Sequence, residues 1–338
     1  MSITIQNNIS LRPFNTFGID VLASSFATFN SIDQLTEAIA FNKDQPLLIL
    51  GGGSNILLTK AFDGLVLKND IKQLEVISQT DSHVFVKAGA GENWNDLVMF
   101  CVDNNYGGME NLSLIPGNVG ASPMQNIGAY GIEVKDVFYQ LEAYDLENKK
   151  VRIFNNEDCE FGYRESVFKN RYKGRFVILN VTFKLSKSPV FNTSYGAIEQ
   201  ELSKMNVCDL SIKNISNAII NIRKSKLPDP KIIGNAGSFF KNPQISSEEY
   251  FKIKSAHPEV PSFKLSDTDY KIPAAWLIER CGWKGYRKGD AGCHINQPLV
   301  LVNYGNASGN EILEIAQHII LAVYQKFQIT LHKEVNII

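Results

Sequence analysis

The run of residues 112–131, Leu-Ser-Leu-Ile-Pro-Gly-Asn-Val-Gly-Ala-Ser-Pro-Met-Gln-Asn-Ile-Gly-Ala-Tyr-Gly, has neither a helical nor a strand period. A loop this long inside a compact domain is usually functional, because its backbone groups must find partners that regular structure would otherwise supply. A second glycine run, Gly51-Gly52-Gly53-Ser54-Asn55, follows the apolar residues 46–50, which read as a buried strand. Glycine at a strand end lets backbone N–H groups approach phosphate oxygens, since a Cβ would block both the conformation and the contact. Either run alone is as readily a tight turn. Two such loops in successive α+β regions suit a grip on one extended diphosphate cofactor.

The rest of the chain sets limits on that cofactor. No Gly-x-Gly-x-x-Gly and no Gly-x-x-x-x-Gly-Lys-Ser/Thr occurs, which removes support from a Rossmann dinucleotide fold and from a nucleotide triphosphatase. A formal net charge of −1 gives no overall field to draw in nucleic acid or an acidic membrane surface. The N-terminus shows no basic region followed by an apolar core, and no apolar run is long enough to span a bilayer, so a soluble cytoplasmic protein without membrane insertion is expected. The five cysteines, an odd number without a Cys-x-x-Cys pair, read as reduced thiols, and no zinc quartet is visible, so no metal is expected.

At 338 residues the chain exceeds one comfortable core. Ser31 with Gln34 opens a short helix through Ala40, strands alternate around Val76 and at Val84, Val86 and Ala88, and a helix spans residues 93–103. Strands over 137–144 and 150–154 form a hairpin turning at Glu147-Asn148, with another strand over 175–185. A helix over 214–226 is ended by Pro228, and Leu227-Pro228-Asp229-Pro230 reads as a stiff linker and a domain boundary. Beyond it come a helix over 274–281 stopped by Gly282, a strand over 299–303, and a long helix capped by Ser308 with Glu311. Residues 329–338 alternate as a strand, with His332, Glu334 and Asn336 on one face.

Several ordered motifs resemble the UDP-N-acetylenolpyruvoylglucosamine reductases. They are Asn15-Thr16-Phe17; Gly51-Gly52-Gly53-Ser54-Asn55; Ile115-Pro116-Gly117 through Gln125-Asn126-Ile127-Gly128-Ala129-Tyr130-Gly131; Tyr163-Arg164-Glu165-Ser166-Val167-Phe168-Lys169; Gly237-Ser238-Phe239-Phe240-Lys241-Asn242-Pro243; and the terminal Glu334-Val335. The resemblance implies an α+β fold. A two-part FAD-binding domain of the vanillyl-alcohol-oxidase/PCMH type would comprise residues 1–70, joined by the C-terminal strand 329–338, and residues 71–226, with a lid segment near 190–205. A C-terminal α+β substrate domain would cover 227–328.

The resemblance also implies the chemistry. NADPH reduces non-covalently bound FAD, and hydride then passes to the enolpyruvyl ether of UDP-N-acetylglucosamine, giving UDP-N-acetylmuramate for peptidoglycan. Hydride addition to the terminal methylene leaves negative charge on the neighbouring carbon, delocalised into the carboxylate, and that charge needs donors and then a proton. Arg164 matches a donor, Ser238 the proton donor and Glu334 a second stabilising group. By residue type alone the same three read as a surface ion pair, a helix N-cap and an exposed strand carboxylate.

The matched cofactor residues are Gly51, Gly52, Gly53, Ser54, Asn55, Ile115, Pro116, Gly117, Gln125, Asn126, Gly128, Ala129, Tyr130, Gly131 and Arg223. Lys226, Asn242, Lys284 and Gln297 match substrate contacts, and Tyr195 a segment that closes over the nucleotide, the mark of the subgroup with a mobile lid. One departure stands out: where many relatives have Glu-Pro-Glu-Val, this chain has His332-Lys333-Glu334-Val335. A monomer or weak oligomer is expected. Two rivals remain at this level. An oxidase of the same flavin class often tethers its flavin through histidine, and no histidine lies between His83 and His257; a non-catalytic sugar-nucleotide binder has no need of Arg164, Ser238 and Glu334 together.

Overall fold

The structure, a computed structural model, describes residues 2–42 and 45–338. The chain forms two compact units. The first takes the chain up to Ile9, then Ala23–Gly52 and Asp63–Ser225; the second takes Ser10–Leu22, Gly53–Phe62 and Lys226–Ile338. Compactness thus divides the chain in two, with two N-terminal segments grouped with the C-terminal third.

Strands Gln6–Ser10 (β1) and Leu22–Phe29 (β2) lead into helix Ile32–Phe41 (α1), whose N-cap Ser31 accepts from the Gln34 backbone. Leu47–Leu50 (β3) ends at the first glycine turn, Ile56–Leu57 (β4) belongs to the second unit, and Phe62–Asn69 (β5) returns to the first, parallel to β3. Leu65, Val66 and Leu67 are all buried, the pattern of a parallel strand covered on both faces. The sheet order is β1-β2-β5-β3.

Leu74–Gln79 (β6), His83–Gly89 (β7) and Trp94–Asp103 (α2) follow. The aperiodic run holds only single helical turns and a minimal hairpin of Gly128–Ala129 (β8) with Ile132–Glu133 (β9). Phe138–Asp145 (β10), Lys150–Asn155 (β11) and Phe176–Ser186 (β12) complete an antiparallel sheet of order β11-β10-β12-β7-β6. Val84, Val86 and Ala88, at period two, share a core with Trp94, Leu97, Val98 and Cys101 of α2. Gly196–Lys204 (α3) and Ile212–Lys226 (α4) pack through Ile198, Leu202, Ile215 and Ile219.

In the second unit, Gly234–Ser238 (β13) is followed by Gln244–Ser246 (β14), Ser247–Ala256 (α5), Phe263–Lys264 (β15), Asp269–Lys271 (β16) and Ala274–Arg280 (α6). Arg287–Lys288 (β17), Ala291–Cys293 (β18), Val300–Asn303 (β19), Gly309–Phe327 (α7) and Asn336–Ile337 (β20) complete it. The main sheet runs β13-β19-β18-β17. Helix α7 opens with the expected reciprocal cap of Ser308 and Glu311, buries Ile312, Ile315, Ala316, Ile319 and Val323, and packs on β18 and β19.

The C-terminal segment departs from expectation. Instead of one strand over 329–338, only β20 forms a ladder, parallel to β4. The alternation survives, with Ile329, Leu331 and Val335 buried. The backbone, however, changes partner midway: the Glu334 N–H bonds the Phe239 carbonyl, and the Asn336 N–H bonds that of Asn55. Among the described residues no helix is long and apolar enough to cross a membrane.

Candidate active site

In the first unit the two glycine loops touch backbone to backbone. A Cβ on Gly52 would stand 3.0 Å from Gly117 Cα and 2.8 Å from Asn118 Oδ1. The second loop is fastened to the entry of α2, where the Gly117 carbonyl accepts from the Trp94 N–H at 2.9 Å, and the Val119 and Gly120 N–H groups bond the carbonyls of Glu92 and Ala90. Gly117 itself sits at φ +116°, a conformation open to glycine. These bare stretches of main chain fit a diphosphate, which needs close N–H groups and no side chain in the way.

The far end of the loop is held by Arg164. Its guanidinium donates to the Asn126 carbonyl at 3.1 Å, the Gly128 carbonyl at 2.5 Å and Glu133 Oε1 at 3.2 Å. The Arg164 backbone lies at φ +101°, with its N–H turned to the Gly162 carbonyl at 2.6 Å. A non-glycine residue there is strained by about 1–3 kcal/mol, which surrounding contacts must hold in place. Asn126 and Tyr130, at φ +44° and +51°, are also left-handed.

Tyr130 connects two other expected site residues, Arg223 and Tyr195. Its hydroxyl bonds Arg223, whose Nε donates to the Leu114 carbonyl at 3.2 Å, and its ring meets Tyr195 edge-on at 5.4 Å. Burial pushes the Tyr130 hydroxyl above its ordinary pKa, with the Arg223 charge opposing; burial likewise lowers Arg223, which the hydroxyl partly offsets. Asn111, buried, donates to the carbonyls of both Tyr130 and Asn192. The segment carrying Tyr195 thus rests on the glycine loop and continues as α3. Neither Asn111 nor Glu133 is singled out by the sequence; they lie just outside the two ends of the aperiodic run.

In the second unit Ser238 ends strand β13 and is no helix cap. Gly237, at φ +69°, interrupts the register between Asn235 and Ser238, a bulge that re-aims the side chain after it. The next residue, Phe239, accepts from the Glu334 N–H at 2.8 Å, and Lys241 donates to His332, so the segments of Ser238 and Glu334 run bonded side by side. Asn55 Nδ2 reaches the Glu334 carbonyl at 3.4 Å. The Asn15-Thr16-Phe17 motif joins the same group: the Thr16 N–H bonds the Gly53 carbonyl, its carbonyl accepts from Asn235, and a Cβ on Gly53, at φ +62°, would strike the Phe14 carbonyl oxygen.

The expected substrate residues are more scattered in role. Asn242 Oδ1 caps the start of α6 through the Ala274 N–H at 2.9 Å, and Lys284 is paired with Glu279 at 2.8 Å. Gln297 is half-buried, its carbonyl accepting from Val300. Lys226, the last residue of α4, is exposed.

Residues 23–153, which contain both glycine loops, match the FAD binding domain model, and residues 229–338 match the model of the UDP-N-acetylenolpyruvoylglucosamine reductase C-terminal domain. The UDP-N-acetylenolpyruvoylglucosamine reductase of Flavobacterium johnsoniae is 50% identical over 335 residues, 99% of each chain. That of Pseudomonas syringae pv. tomato is 48% identical over the whole of both. The chain belongs to the UDP-N-acetylenolpyruvoylglucosamine reductase family. A crystal structure of the reductase from Thermus caldophilus shares the fold at TM-score 0.71, with 22% identity and 99% of each chain covered. The reductase thus pairs an FAD-binding domain of the vanillyl-alcohol-oxidase/PCMH type with the family's C-terminal domain.

Proposed function

We propose that the chain is a cytoplasmic, NADPH-dependent reductase that makes UDP-N-acetylmuramate from the enolpyruvyl ether of UDP-N-acetylglucosamine for peptidoglycan. Bound FAD would supply the chemistry of hydride transfer, from NADPH to the terminal methylene of the ether. The reading rests above all on one observation: Ser238, turned by the Gly237 bulge, lies on a segment bonded directly to that of Glu334, inside the stretch matched by the reductase C-terminal domain.

In this reading Ser238 Oγ gives its proton to the carbon next to the carboxylate, and the basicity of that carbon makes a hydroxyl a sufficient acid once held in place. Arg164 takes the substrate carboxylate; its guanidinium already donates to Asn126, Gly128 and Glu133, so the carboxylate shares the group with these partners or displaces one. Glu334 steadies the charge on the substrate. Residues 1–70 with 329–338, and residues 71–226, hold FAD through the glycine loops and Arg223. Residues 227–328 serve the sugar nucleotide with Asn242, Lys284 and Gln297, joined by Lys226, and Lys284 leaves Glu279 to meet a phosphate. The stretch 190–205 acts as the lid of the Tyr-bearing subgroup, with Tyr195 on the nucleotide.

In this reading FAD is held without a covalent bond. Cys101 and Cys159 are buried, and burial first, then the nearby Glu110 and Asp158 respectively, pushes both thiols up to about 12. Purified protein is expected to show a flavin spectrum, to release the flavin on acid denaturation, and to consume NADPH rapidly only when the enolpyruvyl sugar nucleotide is present. A colourless protein that takes up no flavin ends the proposal.

A further inference from the structure

Glu133 stands at a junction that none of the roles above uses. Its Oε1 accepts from Arg164 Nη1 at 3.2 Å, and its Oε2 from Asn126 Nδ2 at 2.9 Å and Lys135 Nζ at 3.0 Å. The carboxylate and the guanidinium pass over bare main chain, since a Cβ on Gly128 would come within 2.8 Å of Glu133 Cγ and 2.7 Å of Arg164 Nη1. The Glu133 backbone is fixed as well: it pairs with Gly128 across the β8–β9 hairpin and donates to Asp136 in a reciprocal cap. On its other side Asn126 is pinned by the Lys135 N–H at 3.1 Å and the Gly162 carbonyl at 3.0 Å. With the Arg164 and Glu133 side chains 14% and 21% exposed, solvent screens the pair less than it would a surface pair.

We propose that Glu133 is a positioning residue, which fixes the plane of the Arg164 guanidinium and, through Asn126, ties that plane to the loop assigned to FAD. This rests on the reading of Arg164 as the group that takes the substrate carboxylate. A guanidinium meets a carboxylate at two points only when its plane is set. Glutamine at this position could not replace the carboxylate. Its amide has one acceptor oxygen where Glu133 uses two, so either orientation turns an NH₂ group toward a donor, Arg164 on one side or Asn126 and Lys135 on the other.

The test uses full-length flavin-loaded enzyme carrying Glu133→Gln, Arg164→Ala or both. In stopped flow, Glu133→Gln is expected to slow substrate reduction by about 10- to 100-fold, the scale of a small misplacement of a catalytic group. Flavin reduction by NADPH, flavin retention and the melting temperature stay near wild type. Titration of the oxidised enzyme with substrate, read from the flavin absorbance, shows weaker binding. In the Arg164→Ala background Glu133→Gln adds no further loss, because its effect runs through the guanidinium. Glu133→Asp, which keeps both oxygens, recovers part of the rate. Equal slowing with and without Arg164, or a loss explained by released flavin and lowered melting, overturns the proposal. If Arg164→Ala slows reduction while Glu133→Gln does not, positioning alone fails; if Arg164→Ala reacts at full rate, the reading of Arg164 fails too, and positioning with it.

Discussion

Gly52 shows what one missing Cβ does in this chain. An alanine there would press on Gly117 Cα, which is main chain, and on Asn118 Oδ1, whose amide is already bonded to the Gly91 carbonyl at 2.9 Å. The loops must part by a few tenths of an ångström, at an overpacking cost of about 1–3 kcal/mol. With that cost carried by the flavin-bound form, Gly52→Ala is expected to weaken flavin retention by about 5- to 150-fold, since each 1.4 kcal/mol is a factor of ten. Fluorescence titration of flavin into stripped protein would measure it, and unchanged affinity would mean that the loops do not need their close approach. The glycine run marked Gly52 in advance and the family resemblance marked Ser238, but neither said how the residue is held. Ser238 by its type reads as a cap; the positive φ of Gly237 that makes it a bulge residue depends on pairing with β19, a partner far along the chain. Two partners of Arg164 stayed hidden for the same reason, being carbonyls of Asn126 and Gly128 whose direction only the folded loop sets.

At the scale of elements, the hairpin β10–β11 carries the clearest electrostatic device. Asp145 accepts from the N–H groups of Glu147 and Asn148 in the turn and pairs with Arg175 at 2.8 Å. The Arg175 hydrogen bond, opposed by burial and aided by Asn148, holds the carboxyl well below the usual carboxylate range. A carboxylate depressed in the fold stabilises it fully above its unfolded pKa of about 3.9 and loses that contribution as pH falls through the lower folded value. Asp145→Ala is expected to cost about 2 kcal/mol at pH 7, because it leaves turn N–H groups and Arg175 short of a partner that is only partly replaced by water. Urea denaturation checks this, and the gap from wild type should narrow steadily below pH 4; a gap unchanged at low pH would assign the effect to packing. The hairpin itself was legible, as were α1, α2, α4, α6 and α7, because their periodicity and caps are local. The C-terminal strand was legible only as alternation. Its hydrogen bonds go to Phe239 and Asn55, and no local pattern encodes so distant a partner.

Across the whole molecule, segments 10–22 and 53–62 group with the C-terminal third, so each unit is discontinuous in sequence. The linker at Pro228 announces one change of unit, at Ser225/Lys226, and the crossing at Gly52/Gly53 falls in the glycine run, while those near residues 22 and 62 carry no proline or composition break. What holds the early segments is instead a set of specific contacts within the second unit, such as Thr16 to Gly53 and Asn235, and Asn303 Nδ2 to the Phe17 carbonyl at 2.9 Å. These explain in physical terms why Asn15-Thr16-Phe17 belongs with the functional motifs although none of the three carries the chemistry. The proposed role of Ser238 as proton donor to the substrate is tested most directly by rapid-mixing measurement of both half-reactions in Ser238→Ala. Flavin reduction by NADPH should proceed at the wild-type rate, while reduction of the enolpyruvyl sugar nucleotide slows by about 10²- to 10⁴-fold, the usual worth of a positioned acid. Equal losses in the two halves, or none in the second, would contradict the account.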